Sequence, residues 1–112
     1  MADLYDPTHP ALLRLLQMTI DAGKANGIWT GLCGEMAGDP SAIPLLIGLG
    51  IDELSVAPPM LPQIKYLIRR LKYTEAQQLA LQALQCESSV DVLVQSRAMV
   101  QRAAPGIFHT VL

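Results

Sequence analysis

Residues 28–57, IWTGLCGEMAGDPSAIPLLIGLGIDELSVA, decide the fold, because they predict two short strands joined by one helix. The first strand, 28–33, begins with β-branched and aromatic residues, is apolar on both faces and ends before Gly34, which is typical of a buried parallel strand. The second strand is predicted over 51–57. A helix between two strands indicates parallel pairing through a right-handed crossover, and therefore an α/β architecture.

The helix between the strands is predicted to begin at Asp39 and Pro40 and to end at Gly48 or Gly50. Asp39 is a typical N-cap, and a proline is favoured at the first helical position. A glycine just after the last apolar residue is a common helix end. Because Pro44 lies in the first turns of this helix, we expect its start to be irregular.

A helix is also predicted before the first strand. The turn DPTHP, 6–10, offers Thr8 or Asp6 as its N-cap and places Pro10 in its first turn. Leucines then recur at helical spacing, so we predict a helix over 10–25.

Three further helices are predicted after the second strand. The first is QIKYLIRRL, with Pro62 near its beginning, and the others lie over about 75–86 and 89–103. Two capping boxes precede the last two helices; their pairs are Thr74 with Gln77 and Ser88 with Asp91. The stretch 104–112 has no clear period, so we predict a domain over 1–103 and a tail or linker over 104–112.

The composition indicates that the chain needs a partner or a larger host. Hydrophobic residues make up 51% of its 112 residues and charged residues 16%, which is more apolar side chain than a small domain easily buries. Two strands also leave the faces and edges of a parallel sheet open. We therefore expect a segment of a larger barrel or sheet, or a homo-oligomer that completes one.

Charge and sequence pattern argue against several classes of protein. The net charge is −2 and the one basic cluster, Lys65, Arg69, Arg70 and Lys72, lies on a single predicted helix, so nucleic acid is not an expected partner. No apolar run reaches the 18 residues of a membrane span. Two cysteines without a CxxC motif or a secretory signal predict reduced thiols and a cytoplasmic protein.

Cys33 is the residue whose chemistry the spacing alone leaves open. It ends a predicted strand ahead of a glycine-flanked loop, where α/β proteins present catalytic groups. A metal site is disfavoured because no second Cys or His lies at ligand spacing. A nucleophile or an acid remains an alternative, and a buried structural thiol is favoured from the residues alone.

For three other polar residues near this site, Glu35, Asp39 and Ser55, the sequence alone does not indicate a catalytic role. Glu35 is a metal ligand, a general base or a solvated loop residue, and the last is favoured because carboxylates are mostly exposed. Asp39 and Ser55 receive no catalytic role.

The segment GLCGEMAGDPSAIPLLIGLGIDELSVAPPMLPQIKYLIRR, 31–70, closely resembles the carboxyl-terminal part of enzyme I of the bacterial phosphoenolpyruvate-dependent sugar phosphotransferase system. The resemblance begins near LYDPTHPALLRLL, 4–16, and extends to about residue 100. Pyruvate phosphate dikinase and phosphoenolpyruvate synthase share a related Cys-Gly-Glu or Cys-Gly-Gln segment. The continuation IKYLIRRLKYTEAQQLALQAL, 64–84, favours enzyme I or a fused multiphosphoryl-transfer relative.

The resemblance implies a fold and an activity. The family's carboxyl-terminal domain is a (β/α)₈ barrel that binds phosphoenolpyruvate and magnesium and forms the dimer. This chain would supply the sixth helix, strands seven and eight with their helices, and a terminal helix. The whole enzyme moves the phosphoryl group to a histidine on another domain and then to a histidine phosphocarrier protein for sugar uptake.

The resemblance also implies a role for Cys33, which matches the family's acid at the end of strand seven. That acid protonates the methylene carbon of the enolpyruvate. His9 and His109 do not match the phosphoryl-accepting motif, and the family's phosphate and Mg²⁺ ligands lie upstream of residue 1. The fragment alone is therefore expected to be inactive; the alternatives are a non-catalytic assembly or dimerisation module, or the same segment of a dikinase-like or synthase-like enzyme.

Overall fold

The chain folds as a two-stranded parallel sheet packed among helices, and a computed structural model describes its residues 8–110, with side chains for 8–108. The strands, β1 and β2, are Gly31–Cys33 and Glu53–Ser55. Helices α1 to α6 are Pro10–Ala25, Ile43–Leu49, Leu61–Arg70, Tyr73–Gln85, Ser89–Ala103 and Ile107–Thr110. Single 3₁₀ turns lie at Met36–Gly38 and Pro58–Met60.

The sheet confirms the predicted α/β class and the parallel pairing. Gly31 lies opposite Glu53, Leu32 opposite Leu54 and Cys33 opposite Ser55. Both strands are shorter than the predicted 28–33 and 51–57. Each has one hydrogen-bonded neighbour among the described residues, and backbone outside that short ladder has no strand to pair with. The sheet is open.

Helix α2, which joins the strands, lies between two hydrophobic clusters. Leu45, Leu46 and Leu49 pack in the first cluster with residues of α1, α4 and the start of α5. Ile43 packs in the second cluster with residues of α3, α6 and the end of α5. Because one short helix contributes to both clusters, its position fixes the arrangement of the helices around it.

The most extensive helix contact is between α2 and α4, and Gly48 permits it. A Cβ at Gly48 would overlap the carbonyl oxygen of Ala76 and lie 2.8 Å from the Cβ of Ala80. The backbones therefore approach more closely than a side chain would permit. Gly50 ends α2 in the left-handed conformation, with φ of 95°, as predicted for a glycine helix end.

The amino ends of the two strands are joined through the carboxylate of Asp52. The backbone N–H and the hydroxyl of Thr30 donate to Asp52 Oδ2 at 2.9 and 3.1 Å. Lys24 Nζ lies 3.5 Å from Asp52 Oδ1. These contacts lower the pKa of Asp52. The Thr30 N–H has the largest effect, burial opposes it, and the Thr30 hydroxyl and Lys24 each lower the pKa by less.

Helix α1 has the predicted bounds but a different cap. His9 is the N-cap, and its Nδ1 accepts a hydrogen bond from the Ala11 N–H at 3.0 Å. The prediction of Thr8 as the cap was wrong, because the helix begins at Pro10 and Thr8 is one residue too early; its hydroxyl instead donates to the carbonyl of Ser89. Asp6, the other predicted cap, lies outside the described residues.

The two predicted capping boxes have different outcomes. Ser88 is the N-cap of α5 and accepts from the Val90 N–H at 3.1 Å, as predicted. The Thr74 box was wrong, because α4 already begins at Tyr73 and Lys72 occupies the cap position without a side-chain hydrogen bond. Thr74 therefore lies inside the first turn, where its hydroxyl cannot serve as a cap.

The chain after α5 differs from the predicted tail over its described part. Residues 107–110 form α6, and Ala104 and Ile107 are buried in the second cluster beside Val100. The breaker pair Pro105 and Gly106 therefore marks a turn that returns the chain to the core. Gly106 adopts a positive φ of 85° in that turn.

Large apolar side chains remain on the described surface. Trp29 is 72% exposed and Ile28 62%, directly before β1, and Met18 and Leu15 on α1 are 68% and 58% exposed. Among residues 8–110, no helix has both the length and the apolar character that crossing a membrane requires.

Substitution of Gly48 by alanine is expected to destabilise the fold by about 2 kcal/mol, within the usual cost of overpacking. The added methyl group overlaps the α4 backbone, which outweighs the gain in helix propensity. Urea unfolding measures the change. Gly38→Ala is the matched control, because no heavy atom lies within 4 Å of a Cβ there; equal stability of the two variants would contradict the close contact.

Asp52→Asn is expected to change the acid dependence of stability. The folded pKa of Asp52 is lowered from 3.8, so its contribution is present above pH 3.8 and is lost as the pH falls through the lowered value. Thermal unfolding of both proteins at several pH values tests this. The difference in stability between the two proteins should have its full size at pH 7 and should decrease steadily below pH 3.8. A difference that does not vary with pH would refute this role of Asp52.

Candidate functional site

The carboxyl ends of the two strands form the candidate site. Cys33 is the last residue of β1 and lies opposite Ser55, the last residue of β2. Because the strands are parallel, Cys33 and Ser55 lie at the same end of the sheet. Asp52 lies at the opposite end, where the strands begin. In parallel α/β proteins the carboxyl ends of the strands carry functional groups.

Cys33 is an exposed free thiol. The buried structural thiol, which the residues alone favoured, is therefore wrong for this chain. Cys86, at the end of α4, is the half-buried one and packs against the first hydrophobic cluster. An exposed thiol at a strand end is accessible to a small molecule, and nucleophile and acid both remain open for it.

The backbone directly after Cys33 turns sharply and leaves open space. Gly34 has a positive φ of 95°, and no heavy atom lies within 4 Å of the position a Cβ would take. Glu35 is exposed, while Met36 and Ala37 are buried in the 3₁₀ turn that follows. The turn is anchored in the core by these two side chains, while the space beside Gly34 is open.

Asp39 is not the N-cap of α2, which corrects the prediction. The helix begins at Ile43 with Ala42 in the cap position. Pro44 has no N–H to donate to the carbonyl of Pro40, so a regular helix cannot start at Pro40. The expected irregular start is a turn over 40–42.

The carboxylate of Asp39 instead organises this turn. Its Oδ1 accepts from the Ser41 N–H at 2.9 Å, and its carbonyl accepts from the Ala42 N–H at 2.9 Å. Burial raises the pKa of the Asp39 carboxyl, and the Ser41 N–H and the charge of Arg97 lower it by less. Asp39 is thus a half-buried carboxylate whose ionised form depends on neighbours.

No metal centre is formed by the described residues alone. Among residues 8–108, no group of three or more His, Cys, Asp or Glu side chains could hold an ion. Magnesium prefers near-octahedral oxygen coordination, and this chain offers no such set within that range.

One residue of α5 that contacts the loop after Cys33 was not among the predicted site residues. Ser96 is wholly buried and its hydroxyl donates to the carbonyl of Ser41. The signal was present in the sequence, because Ser96 interrupts the buried stripe of Val92 and Val100 at a spacing of four residues. A polar residue on an apolar face requires a partner.

Comparison with known proteins gives consistent matches. The profile of the family described as PEP-utilising enzyme, PEP-binding domain, matches residues 1–73. A phosphoenolpyruvate-protein phosphotransferase of Mycoplasma pneumoniae is 51% identical over 89 residues, covering 80% of this chain and 16% of the relative. That of Staphylococcus carnosus is 49% identical over 90 residues, with the same coverage.

A fused relative also matches. The multiphosphoryl transfer protein of Escherichia coli is 40% identical over 92 residues, or 82% of this chain and 11% of that protein. The chain thus spans 16% of the length of the first phosphotransferases it matches.

Proposed function

Because the chain belongs to the family of PEP-utilising enzymes, as part of their PEP-binding domain, we propose that it is a segment of a phosphoenolpyruvate–protein phosphotransferase with Cys33 as the acid. The observation that carries the proposal is an exposed thiol at the carboxyl end of a parallel strand, above an open glycine turn. The printed names of the relatives favour this enzyme over a dikinase or a synthase.

The proposed reaction divides into phosphoryl transfer and proton transfer. The bond between phosphorus and the enol oxygen of phosphoenolpyruvate breaks, and the phosphoryl group passes to a histidine outside this chain. The remaining enolate of pyruvate takes a proton at its methylene carbon from the thiol of Cys33. The resulting thiolate regains a proton from water, or from pyruvate in the reverse direction.

The proposed architecture is the last part of a (β/α)₈ barrel. Sequential parallel strands joined by α2, with helices before and after, are the repeating unit of that fold. The open edges of β1 and β2 would then pair with the neighbouring strands of the barrel. The short strands and exposed Ile28 and Trp29 support this, since both features are expected where a sheet lacks neighbours.

The partners and the metal follow from the same proposal. Phosphoenolpyruvate, a histidine phosphocarrier protein and Mg²⁺ would be bound by the whole enzyme in the cytoplasm, with the phosphate and Mg²⁺ ligands outside this chain. The chain alone would therefore keep the proton donor without the groups that bind the substrate, and we propose that it is inactive by itself.

Cys33→Ala in the complete enzyme that carries this chain should lower the rate of pyruvate release by about 10²- to 10⁴-fold, the usual range for loss of an acid. Alanine removes the only proton that the proposal delivers to carbon. A coupled pyruvate assay with phosphoenolpyruvate and the phosphocarrier measures the rate. Cys86→Ala is the matched control and should keep the original rate; undiminished turnover of Cys33→Ala would eliminate the proposed acid.

A second candidate function is a non-catalytic assembly module. The exposed apolar side chains before β1 and on α1 favour it, because adjacent large apolar groups on a surface mark contact sites. In that case copies of the chain would pair through these faces without a substrate.

Light scattering over a hundredfold range of concentration distinguishes the assembly module. The assembly module predicts a mass that rises from one copy to a defined oligomer. Trp29→Ser should shift that transition to higher concentration, because it removes the most exposed aromatic ring among residues 8–108. Leu81→Ser on α4, another exposed apolar position, is the control. A constant single-copy mass would exclude self-assembly.

A further inference from the structure

The loop between Cys33 and α2, residues 34–42, depends on the carboxyl-terminal part of the chain for its shape. Its first half is anchored by the buried side chains of Met36 and Ala37. Its second half contains Ser41, which is 4% exposed, and the half-buried carboxylate of Asp39. These polar groups need partners inside the fold.

Ser96 supplies the first partner. Its hydroxyl is wholly buried and donates to the carbonyl of Ser41, across 55 residues of sequence. A valine or alanine would suit the apolar stripe of α5 equally well, so the hydroxyl has a specific use. This hydrogen bond holds the loop at Ser41 against helix α5.

Arg97 supplies a positive charge that acts on Asp39. Its positive charge favours the ionised form of Asp39, which holds the Ser41 N–H at 2.9 Å. The neighbouring residues Ser96 and Arg97 thus act on the two backbone polar groups of one residue, Ser41: Ser96 on its carbonyl and Arg97, through Asp39, on its N–H.

Phe108 holds the guanidinium of Arg97 in place. The guanidinium carbon lies 3.9 Å from the centroid of the Phe108 ring, a stacking distance for a cation over an aromatic face. Phe108 belongs to α6, which Ile107 anchors in the second cluster. Helix α6 therefore orients the guanidinium of Arg97.

We propose that Ser96 and Arg97 are positioning residues that hold the Cys33 loop in its working geometry. The inference rests on the proposed function, in which Cys33 is the acid. Neither residue touches the substrate in this proposal; each acts by fixing Ser41 and Asp39, and thereby the path of the backbone that leaves Cys33.

Arg97→Gln tests the proposal, because Arg97 is on the surface and its loss should leave the fold intact. In the complete enzyme we expect kcat to fall by about ten- to a hundredfold, as a misplaced group does, with the KM for phosphoenolpyruvate unchanged. Arg97→Lys keeps the charge and should restore most of kcat. In the 112-residue chain, amide exchange should speed up within 34–42 and stay unchanged in α1.

The matched control is Arg102→Gln, which removes the same charge five residues further along α5 and should leave kcat and exchange at their original values. Equal behaviour of the two arginine variants, or a change in KM alone, would overturn the positioning role. If kcat falls in Cys33→Ala but not in Arg97→Gln, the positioning role is refuted and the proposed function stands. Normal turnover of Cys33→Ala would remove both, while faster exchange in Arg97→Gln would still report the loop contact.

Discussion

The close contact between α2 and α4 is the constraint on which the rest of the structure depends. At Gly48 the two backbones meet with no side chain between them. Helix α2 also joins the two strands, so fixing it against α4 fixes the sheet as well. Its leucines enter one hydrophobic cluster and Ile43 the other, which makes this short helix the element that both clusters share.

The stabilising contacts of Asp52 and the candidate reactive residue Cys33 lie at opposite ends of the sheet. At the amino ends of the strands, Asp52 ties Thr30 and Lys24 together by hydrogen bonds and an ion pair. At the carboxyl ends, Cys33 is exposed above Gly34 in its left-handed conformation. The ladder between them is three residues long, so contacts at one end are within a short distance of the other.

The sequence predicted the elements well where local signals were sufficient. The bounds of α1 were correct because a proline start, periodic leucines and a glycine-rich end agree. The predicted N-cap of α2, Asp39, was wrong because Pro44 prevents a regular helix from beginning at Pro40. The strand lengths were wrong because they depend on neighbouring strands. The position of Cys33 at a strand end was predictable, whereas its exposure depends on what packs above it.

The sequence signalled that Ser96 needs a polar partner, but the partners that support the Cys33 loop could not be identified from it. Ser41 and Ser96 are 55 residues apart, and Arg97 meets Phe108 only because the chain turns back after Pro105. No periodicity encodes such pairs. The family profile matches residues 1–73, yet the groups that hold the loop lie at 96–108. The catalytic thiol of the proposed enzyme and its supports therefore belong to different parts of the chain, and the packing of α5 on the 40–42 turn is what joins them.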